Sequence, residues 1–397
     1  MSALIKFFRF SDNTKFLLSM FVPLYAIHCM EQIYFIYGNV LGSYGLSPQT
    51  TGNILGAFFG AIMSARPMGG WMIENLGIRR TMAASGFLAL VGCSMLCFER
   101  SVPLLYAGRI ISGAGFGIFS IGLFSYQAIR TTPKARGAAF AITTIGGVLP
   151  MGTMTPLGDL LVTGGHVKTY LAMGPVIAVI CLLLSGLVKD EKLRETSAEK
   201  SWGAYGSLVR SKPFVMLCVT CAIMALIDAS SVSISMMAAE RGLVASSFIA
   251  SLSAAAVITR LCGAQILNRI PHLLAIAPCA MLMSCAILAA SVAKSNVSFL
   301  SCGILFGIGI GGGFPLMLAS VSDILPEELR PKGTAVALLL YDLGWFVTPL
   351  LIGALTPSLG IARSFTALAC AALAVSGVLT IFYWAPARTA ETRMPKP

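Results

Sequence analysis

Charged residues are scarce in this chain, since Asp, Glu, Lys and Arg together make up only 11% of its 397 residues. A soluble globular protein carries roughly 25% charge, so the composition excludes a soluble enzyme. It also excludes a disordered chain, because such chains are poor in aliphatic residues, whereas 56% of this one is hydrophobic and its mean hydropathy is +0.84. The sequence predicts an integral membrane protein with room for about a dozen helices of ~20 residues.

Motifs of catalytic and ATP-driven proteins are also missing. The chain has no GxxxxGK[ST] phosphate loop, no HExxH zinc motif and no polar stretch long enough for a soluble domain. Its eleven cysteines fall in apolar stretches, where a free thiol behaves as a small hydrophobic group, so no disulfide framework is predicted. We expect no cofactor, no metal site and no enzyme activity, and a membrane-embedded enzyme or sensor is the least favoured alternative.

Apolar runs bounded by charged or turn residues predict an all-α membrane protein with six spans on each side of a polar stretch. The polar stretch, residues 189 to 212, is expected to be a cytoplasmic linker. It would join an N-terminal six-helix bundle, 1 to 188, to a C-terminal six-helix bundle with a short tail, 213 to 397. The predicted spans are 16 to 38, 50 to 70, 81 to 98, 102 to 126, 137 to 161, 169 to 188, 213 to 238, 245 to 267, 272 to 293, 297 to 321, 333 to 355 and 362 to 384.

Positive charge is unevenly distributed along the chain. Most of the 28 Lys and Arg residues lie in the amino-terminal segment, the even-numbered loops, the linker and the tail, and positively charged loops are retained in the cytoplasm. Both termini are therefore predicted to be cytoplasmic. The formal charge of +12 follows from this placement, so we expect no nucleic-acid partner. The amino-terminal segment lacks a small-residue cleavage site, so the first span is expected to be retained as a helix.

The two halves of the sequence are similar to each other. An offset of 197 residues relates Glu31 to Asp228, so the first and seventh spans each hold one buried acid. Six-helix halves repeated in this way are typical of one large class of secondary transporters, whose substrate and ion sites lie near the membrane midplane. At an offset of 196 residues the glycines Gly113, Gly115 and Gly117 align with Gly309, Gly311 and Gly313.

Residues 70 to 80, GWMIENLGIRR, carry a family resemblance. A glycine, an acid four positions later, a second glycine and two arginines resemble the signature loop of the major facilitator superfamily, with Glu where the family usually has Asp. In the fourth span GRIISGAGFG, residues 108 to 117, resembles that family's motif of an intramembrane arginine followed by glycines. The resemblance covers essentially the whole chain and implies that family's fold, with 12 transmembrane helices in two six-helix bundles. The matching residues are Gly70, Glu74, Gly77, Arg79, Arg80 and Arg109.

Shorter runs are similar to bacterial efflux permeases, a subgroup that includes sugar-efflux-like and opine-metallophore exporters. They are SARPMGG at 64 to 70, ITRLCGA at 258 to 264 and YDLGWFVTPLLIG at 341 to 353. This resemblance implies a monomeric exporter or antiporter in the inner membrane of a bacterium. The fifth span departs from antiporters of the family, because Gly147 and Pro150 are separated where those proteins carry a Gly-Pro dipeptide. An uncoupled facilitator or a proton-symporting importer is therefore the alternative.

Charged residues inside spans are costly in a bilayer, which makes them functional candidates. His28 and Glu31 lie three residues apart on one face of the first helix, and Gln32 and Tyr34 continue that polar surface. We interpret the imidazole and the carboxylate as a proton-binding pair. The alternative is a polar helix contact that is satisfied by neighbouring hydroxyl groups.

The second half holds its own buried charges. Asp228 lies in the middle of the seventh span with a hydroxyl-rich surface beyond it, and we expect it to line the transport cavity. Asp342 is a further candidate proton site, and Trp345, three residues later, offers an aromatic wall to a flat or cationic substrate. Arg66 and Arg260 are also expected at the cavity. The alternative for Asp342 is an ion pair with one of these arginines that ties spans together.

Arg109 and the charged loops complete the set of candidates. The family resemblance implicates Arg109 in proton coupling, since a fixed positive charge acts on a neighbouring acid as the two approach and part. A static cap at a helix end is the alternative for this arginine. The loop residues are expected to make interdomain contacts that close the cytoplasmic side: Gly70, Glu74, Gly77, Arg79, Arg80, Arg130 and Arg136.

The candidates together predict a proton-coupled secondary transporter that moves a small organic solute by alternating access. A mixture of acids, arginines and aromatic residues suits a polar or zwitterionic substrate better than a purely lipophilic drug. Protons are the expected coupling ion.

Overall fold

The computed structural model describes residues 11–98, 101–130, 133–188, 208, 210–267, 272–325 and 330–391. These residues form helices and short connections, with no β-strand among them. The predicted all-α fold is therefore confirmed. The predicted linker, 189 to 212, lies almost wholly outside the described residues, so the domain boundaries stay a prediction.

The first half of the chain begins with an interrupted helix. A 3-10 turn, Ile33–Ile36, separates α1 from the short helix α2, and a second 3-10 turn, Ser185–Leu187, follows α7. The helices are α1 (Ser11–Gln32), α2 (Tyr37–Ser43), α3 (Pro48–Leu76), α4 (Ile78–Met95), α5 (Val102–Arg130), α6 (Pro133–Thr163) and α7 (Val167–Leu184).

The second half repeats this order of elements. A 3-10 turn, Ala229–Ser233, separates α8 from the short helix α9. The helices are α8 (Lys212–Asp228), α9 (Ile234–Glu240), α10 (Ala245–Leu267), α11 (His272–Val292), α12 (Asn296–Ile324), α13 (Arg330–Leu359) and α14 (Ile361–Glu391).

Every predicted span falls on these helices, but they differ in how apolar they are. Within the described ranges, nine helical segments are long and apolar enough to cross a membrane. The first three predicted spans are not among those nine, so the total of 12 spans and the cytoplasmic termini stay predictions.

The helices pack into two compact units, Met1–Val40 with Ala57–Ala198 and Leu41–Gly56 with Glu199–Pro397. In the first unit α4 packs against α5 and α7, and α1 packs against α6. In the second unit α11 packs against α12 and α14, and α8 packs against α13. These pairs correspond in order, so the repeat extends from the sequence to the helix packing.

Glycines in α5 and α12 define the register of this repeat. A Cβ atom on Gly113 would collide with the carbonyl oxygen of Phe58 in α3, and one on Gly307 would collide with that of Leu252 in α10. These equivalent glycines are 194 residues apart, so the predicted pairing of Gly113 with Gly309 is wrong. Glycines alternate along this part of α12, so a two-residue slip still matches glycine with glycine while turning the helix by about 200°. Gly115 with Gly309 and Gly117 with Gly311 follow the same 194-residue register.

These close approaches make a first prediction. Gly113→Ala and Gly307→Ala should each destabilise the protein by about 1 to 3 kcal/mol, because the new methyl group meets the backbone of a neighbouring helix. The fall in melting temperature of the detergent-purified protein measures the effect. Gly377→Ala in α14 is the matched control, since a Cβ there meets no atom within 4 Å. Equal melting temperatures for Gly113→Ala and Gly377→Ala would contradict the packing.

The first helix of each half is interrupted at the same point. The turn Ile33–Ile36 begins 196 residues before the turn Ala229–Ser233, and each lies inside a predicted span. The sequence does not predict these two interruptions. A 3-10 turn within a longer helix often marks a hinge, and it disturbs the backbone bonding of the neighbouring α-helical turn.

Hydroxyl groups bond the carbonyl oxygens beside both interruptions. Thr155 in α6 donates to the carbonyl of Gln32 at 3.3 Å, and Thr348 in α13 donates to that of Leu226 at 2.8 Å. Ser231 donates to the carbonyl of Asp228 at 2.7 Å. Such side-chain bonds compete with the helical ladder, so they stabilise the interruptions within an apolar environment.

Candidate functional site

The acid of the first helix lies directly before the interruption. Glu31 is 8% exposed, and its Oε2 lies 2.9 Å from Nδ1 of His28, so the three-residue spacing does bring the two groups together. The His28 ring meets Phe116 of α5 edge-on, with centroids 5.0 Å apart. A Cβ atom on Gly147 of α6 would lie 3.2 Å from Nε2 of His28. Neighbouring helices therefore hold the imidazole in place beside the carboxylate.

The polar surface predicted beyond Glu31 is buried inside the first unit. Gln32 is 3% exposed, and its Oε1 has no hydrogen-bond partner among the described residues. Tyr34 is also buried, and its ring meets those of Tyr37 and Tyr170 edge-on at 5.5 and 6.2 Å. Tyr34, which lies within the 3-10 turn, is thus the centre of a cluster of three tyrosines.

Arg109 lies beside this tyrosine cluster. Its guanidinium carbon is 4.3 Å from the centre of the Phe58 ring and 5.7 Å from the centre of the Tyr34 ring, and the residue is 2% exposed. Aromatic faces attract a cation through their quadrupole, more strongly where water is excluded. The arginine therefore places a buried positive charge next to the turn that follows Glu31.

The acid of the seventh helix has a different partner. Asp228 is 4% exposed, and the hydroxyl of Tyr341 in α13 donates to its Oδ2 at 2.5 Å. The Tyr341 ring meets Phe314 of α12 edge-on at 5.1 Å. Trp345, one turn further along α13, lies near the Tyr341 hydroxyl. The predicted aromatic wall therefore belongs to the surroundings of Asp228.

Arg260 of α10 also lies near Phe314. Its guanidinium carbon is 6.0 Å from the centre of that ring, and its charge interacts with Asp228 and Tyr341. It forms no hydrogen bond or ion pair with any residue that the structure describes, and its Nε is buried. The ion pair of Asp342 with Arg260, one alternative for that acid, is therefore not formed. Asp342 and Arg66 are both half-buried, in the second and first units respectively.

The loop between α3 and α4 turns at a glycine. Gly77 has φ +84°, a conformation that residues with a Cβ atom rarely adopt, and Thr81 donates to its carbonyl at 2.8 Å. Arg79 and Arg80 are exposed. The other predicted loop residues cannot be placed in the same way, because the side chains of Glu74, Arg130 and Arg136 lie outside the described part and Gly70 contributes only backbone to α3. Closure by this loop stays a prediction.

Sequence reasoning missed several residues of these clusters. Tyr341 is not among the residues predicted from the sequence, although it shares a helix face with Gly344 and Thr348, which pack against α8. A small residue and a hydroxyl at that spacing were the available signal. The sequence contains no such signal for Phe314, since aromatic residues are common in apolar spans. Asp159 in α6 is a further buried acid, 5% exposed, that was not singled out.

Comparison with known families gives one broad match. The family model of the Major Facilitator Superfamily matches residues 14 to 349 and, in an overlapping match, residues 276 to 397. Together the two matches cover almost the whole sequence.

Curated relatives match shorter segments. The chain is 28% identical to an oxalate:formate antiporter of Oxalobacter formigenes over 128 residues, which cover 32% of this chain and 30% of the antiporter. It is 33% identical to glucose transporter type 3 of Drosophila melanogaster over 140 residues, 34% of this chain and 27% of the relative. The matched segments thus span less than a third of either relative.

Solved structures extend the likeness to the whole fold. A mutant of the peptide transporter POT in complex with alafosfalin superimposes with a TM-score of 0.77 and 14% identity. The superposition covers 93% of this chain and 94% of that protein. At this identity the similarity establishes the fold alone.

Proposed function

Because the chain belongs to the Major Facilitator Superfamily and is an integral membrane protein of several spans, we propose that it is a secondary active transporter coupled to protons. Its substrate is a small polar or zwitterionic organic solute, and it works by alternating access. Protons moving down their gradient drive the solute outward, so the protein acts as an exporter or antiporter. The membrane is the inner membrane of a bacterium, with both termini in the cytoplasm.

The hydrogen-bonded pair of His28 and Glu31 carries the proposal. Its 2.9 Å contact lies within the first predicted span, near the point where that helix is interrupted. A carboxylate and an imidazole in contact can take up and release a proton, and interrupted helices in transporters lie at substrate and ion sites. One proton moving across 100 mV supplies ~2.3 kcal/mol, enough for a roughly 50-fold concentration ratio of the solute.

The two units take different roles in this proposal. His28 and Glu31 bind the proton, with Gln32, Tyr34 and Arg109 around the turn that follows them. Asp228, Arg260, Tyr341 and Trp345 contact the solute. Asp342 and Arg66 are further members of the transport pathway. The relative whose name records an antiporter supports exchange as the mode of transport, although it matches only part of this chain.

A two-step experiment tests the function. Thermal-shift screening of the purified protein against amino acids, sugars, metallophores and dyes at two pH values identifies a ligand. Radiolabelled ligand is then followed in proteoliposomes with an imposed pH gradient. We expect accumulation that disappears when an ionophore collapses the gradient. Accumulation that ignores the collapse would contradict proton coupling.

An uncoupled facilitator or a proton-symporting importer of the same fold is the second candidate. The separated Gly147 and Pro150 favour it, because antiporters of this family usually carry these residues as a dipeptide. Gly147 also packs against His28, so its position serves the proton-binding pair. The sign of proton movement on solute entry distinguishes the importer from the antiporter.

A further inference from the structure

We propose that Arg260 and Asp228 form a two-point receptor for a zwitterion that carries a carboxylate and an ammonium group, as amino acids and small peptides do. The inference rests on the proposed transport function and specifies its substrate class. The solute carboxylate binds the guanidinium of Arg260, and the ammonium group binds the carboxylate of Asp228.

The state of Arg260 supports the first contact. A charged side chain at membrane depth costs about 2.5 to 3.5 kcal/mol unless a partner compensates it. Arg260 is only partly exposed, and its Nε is buried. It forms no hydrogen bond and no ion pair with any of the described residues. A planar guanidinium offers two parallel N–H donors, the geometry that a carboxylate accepts. A solute carboxylate would satisfy this group.

The spacing of the two charges supports the second contact. Asp228 is close enough to Arg260 for their charges to interact, yet the two form no ion pair. A direct ion pair would occupy the guanidinium of Arg260, whereas a gap between opposite charges admits a ligand that carries both signs. A simple anion would be repelled by Asp228 and a simple cation by Arg260, so only a zwitterion gains at both points.

Tyr341 positions the acid for this role. Its hydroxyl donates to Oδ2 of Asp228 at 2.5 Å, which fixes the orientation of the carboxylate. The Phe314 ring is close to both cationic and phenolic groups, in edge-on contact with Tyr341 at 5.1 Å and 6.0 Å from the guanidinium carbon of Arg260. This aromatic surface would pack against the apolar part of the ligand. Four helices, α8, α10, α12 and α13, thus contribute one group each to a receptor inside a single unit.

Matched ligands test the charge requirement on the wild-type protein. Each proteinogenic amino acid is compared with its N-acetyl derivative, which keeps only the carboxylate, and with its amide, which keeps only the ammonium group. We expect at least one amino acid to raise the melting temperature of the full-length protein while its two derivatives do not. No response to any amino acid, or an equal response to a derivative, would overturn the inference.

Variants then assign the contacts. Arg260→Gln and Asp228→Asn should each weaken binding of the responding amino acid by about 30-fold or more, as expected when a desolvated charge loses its partner. Arg260→Lys, which keeps the charge and guards against misfolding, should bind more weakly than wild type and more tightly than Arg260→Gln. Arg363→Gln and Glu240→Gln, changes at exposed residues, are the controls and should bind as wild type does. Wild-type affinity in Arg260→Gln would overturn the receptor.

These outcomes are separate from failure of the proposed coupling. If the protein binds amino acids but its flux does not depend on the pH gradient, proton coupling is contradicted and the receptor is supported. Gradient-driven flux of a simple anion or a sugar would support the proposed transport function and contradict the zwitterion receptor.

Discussion

Glu31→Gln will bind the transported solute and equilibrate it across the membrane, but it will not concentrate it. Glutamine keeps the size of the side chain and can still bond with His28, so the fold and the solute site are preserved. It cannot exchange a proton at the working pH. The roughly 50-fold accumulation that one proton can sustain at 100 mV should therefore fall to the equilibrium ratio of one.

Solute accumulation in proteoliposomes with an imposed pH gradient measures this effect. Solute counterflow without a gradient provides the internal check, since it requires binding and alternating access but no net proton movement. Glu240→Gln removes an exposed acid by the same chemical change and should accumulate solute as wild type does. Wild-type accumulation by Glu31→Gln would show that the proton binds elsewhere, with Asp228 and Asp342 as the remaining acids of the proposal.

Arg109→Gln should lower the accumulation ratio by about tenfold, which corresponds to ~1.4 kcal/mol. The charge of Arg109 lies over Phe58 and Tyr34, beside the turn that follows Glu31. When that turn moves relative to the guanidinium, the attraction between this positive charge and the carboxylate of Glu31 changes. An arginine that stays charged throughout can therefore take part in coupling. Arg109→Lys keeps the charge and should retain part of the ratio.

The alternative role of Arg109, a static cap at a helix end, predicts a different pattern. Phe58→Leu removes the aromatic face but keeps an apolar side chain, so it should lower the melting temperature while sparing the dependence of flux on the pH gradient. A purely structural arginine would make Arg109→Gln behave in the same way, with a lower melting temperature and an unchanged accumulation ratio. That result would contradict a coupling role.

Helix positions and the repeat could be predicted from the sequence because both depend on long apolar runs and their boundaries. Every predicted span falls on a helix of the structure. The interruptions after Gln32 and Asp228 could not be predicted, because they depend on hydroxyl groups such as Thr155 and Thr348 that reach across from other helices. The glycine register could not be predicted for a related reason, since only the facing helix distinguishes Gly307 from Gly309.

The same difference between contacts within one helix and contacts between helices applies to individual site residues. The contact of His28 with Glu31 could be predicted, since a three-residue spacing in a helix places two side chains together. The bond of Tyr341 to Asp228 joins residues on different helices and depends on how α13 is rotated against α8. The sequence identifies Arg260 as an unusual charge within a predicted span. Only the structure shows that it forms no ion pair with any of the described residues.

Proton movement during solute entry tests the central claim most directly. A pH-sensitive dye is enclosed in proteoliposomes that contain the wild-type protein, and the ligand found by thermal shift is added outside. An antiporter exchanges entering solute for internal protons, so we predict that the lumen becomes more alkaline with wild type and does not change with Glu31→Gln. Solute entry into wild-type vesicles at constant internal pH would contradict proton coupling, and acidification of the lumen would identify an importer.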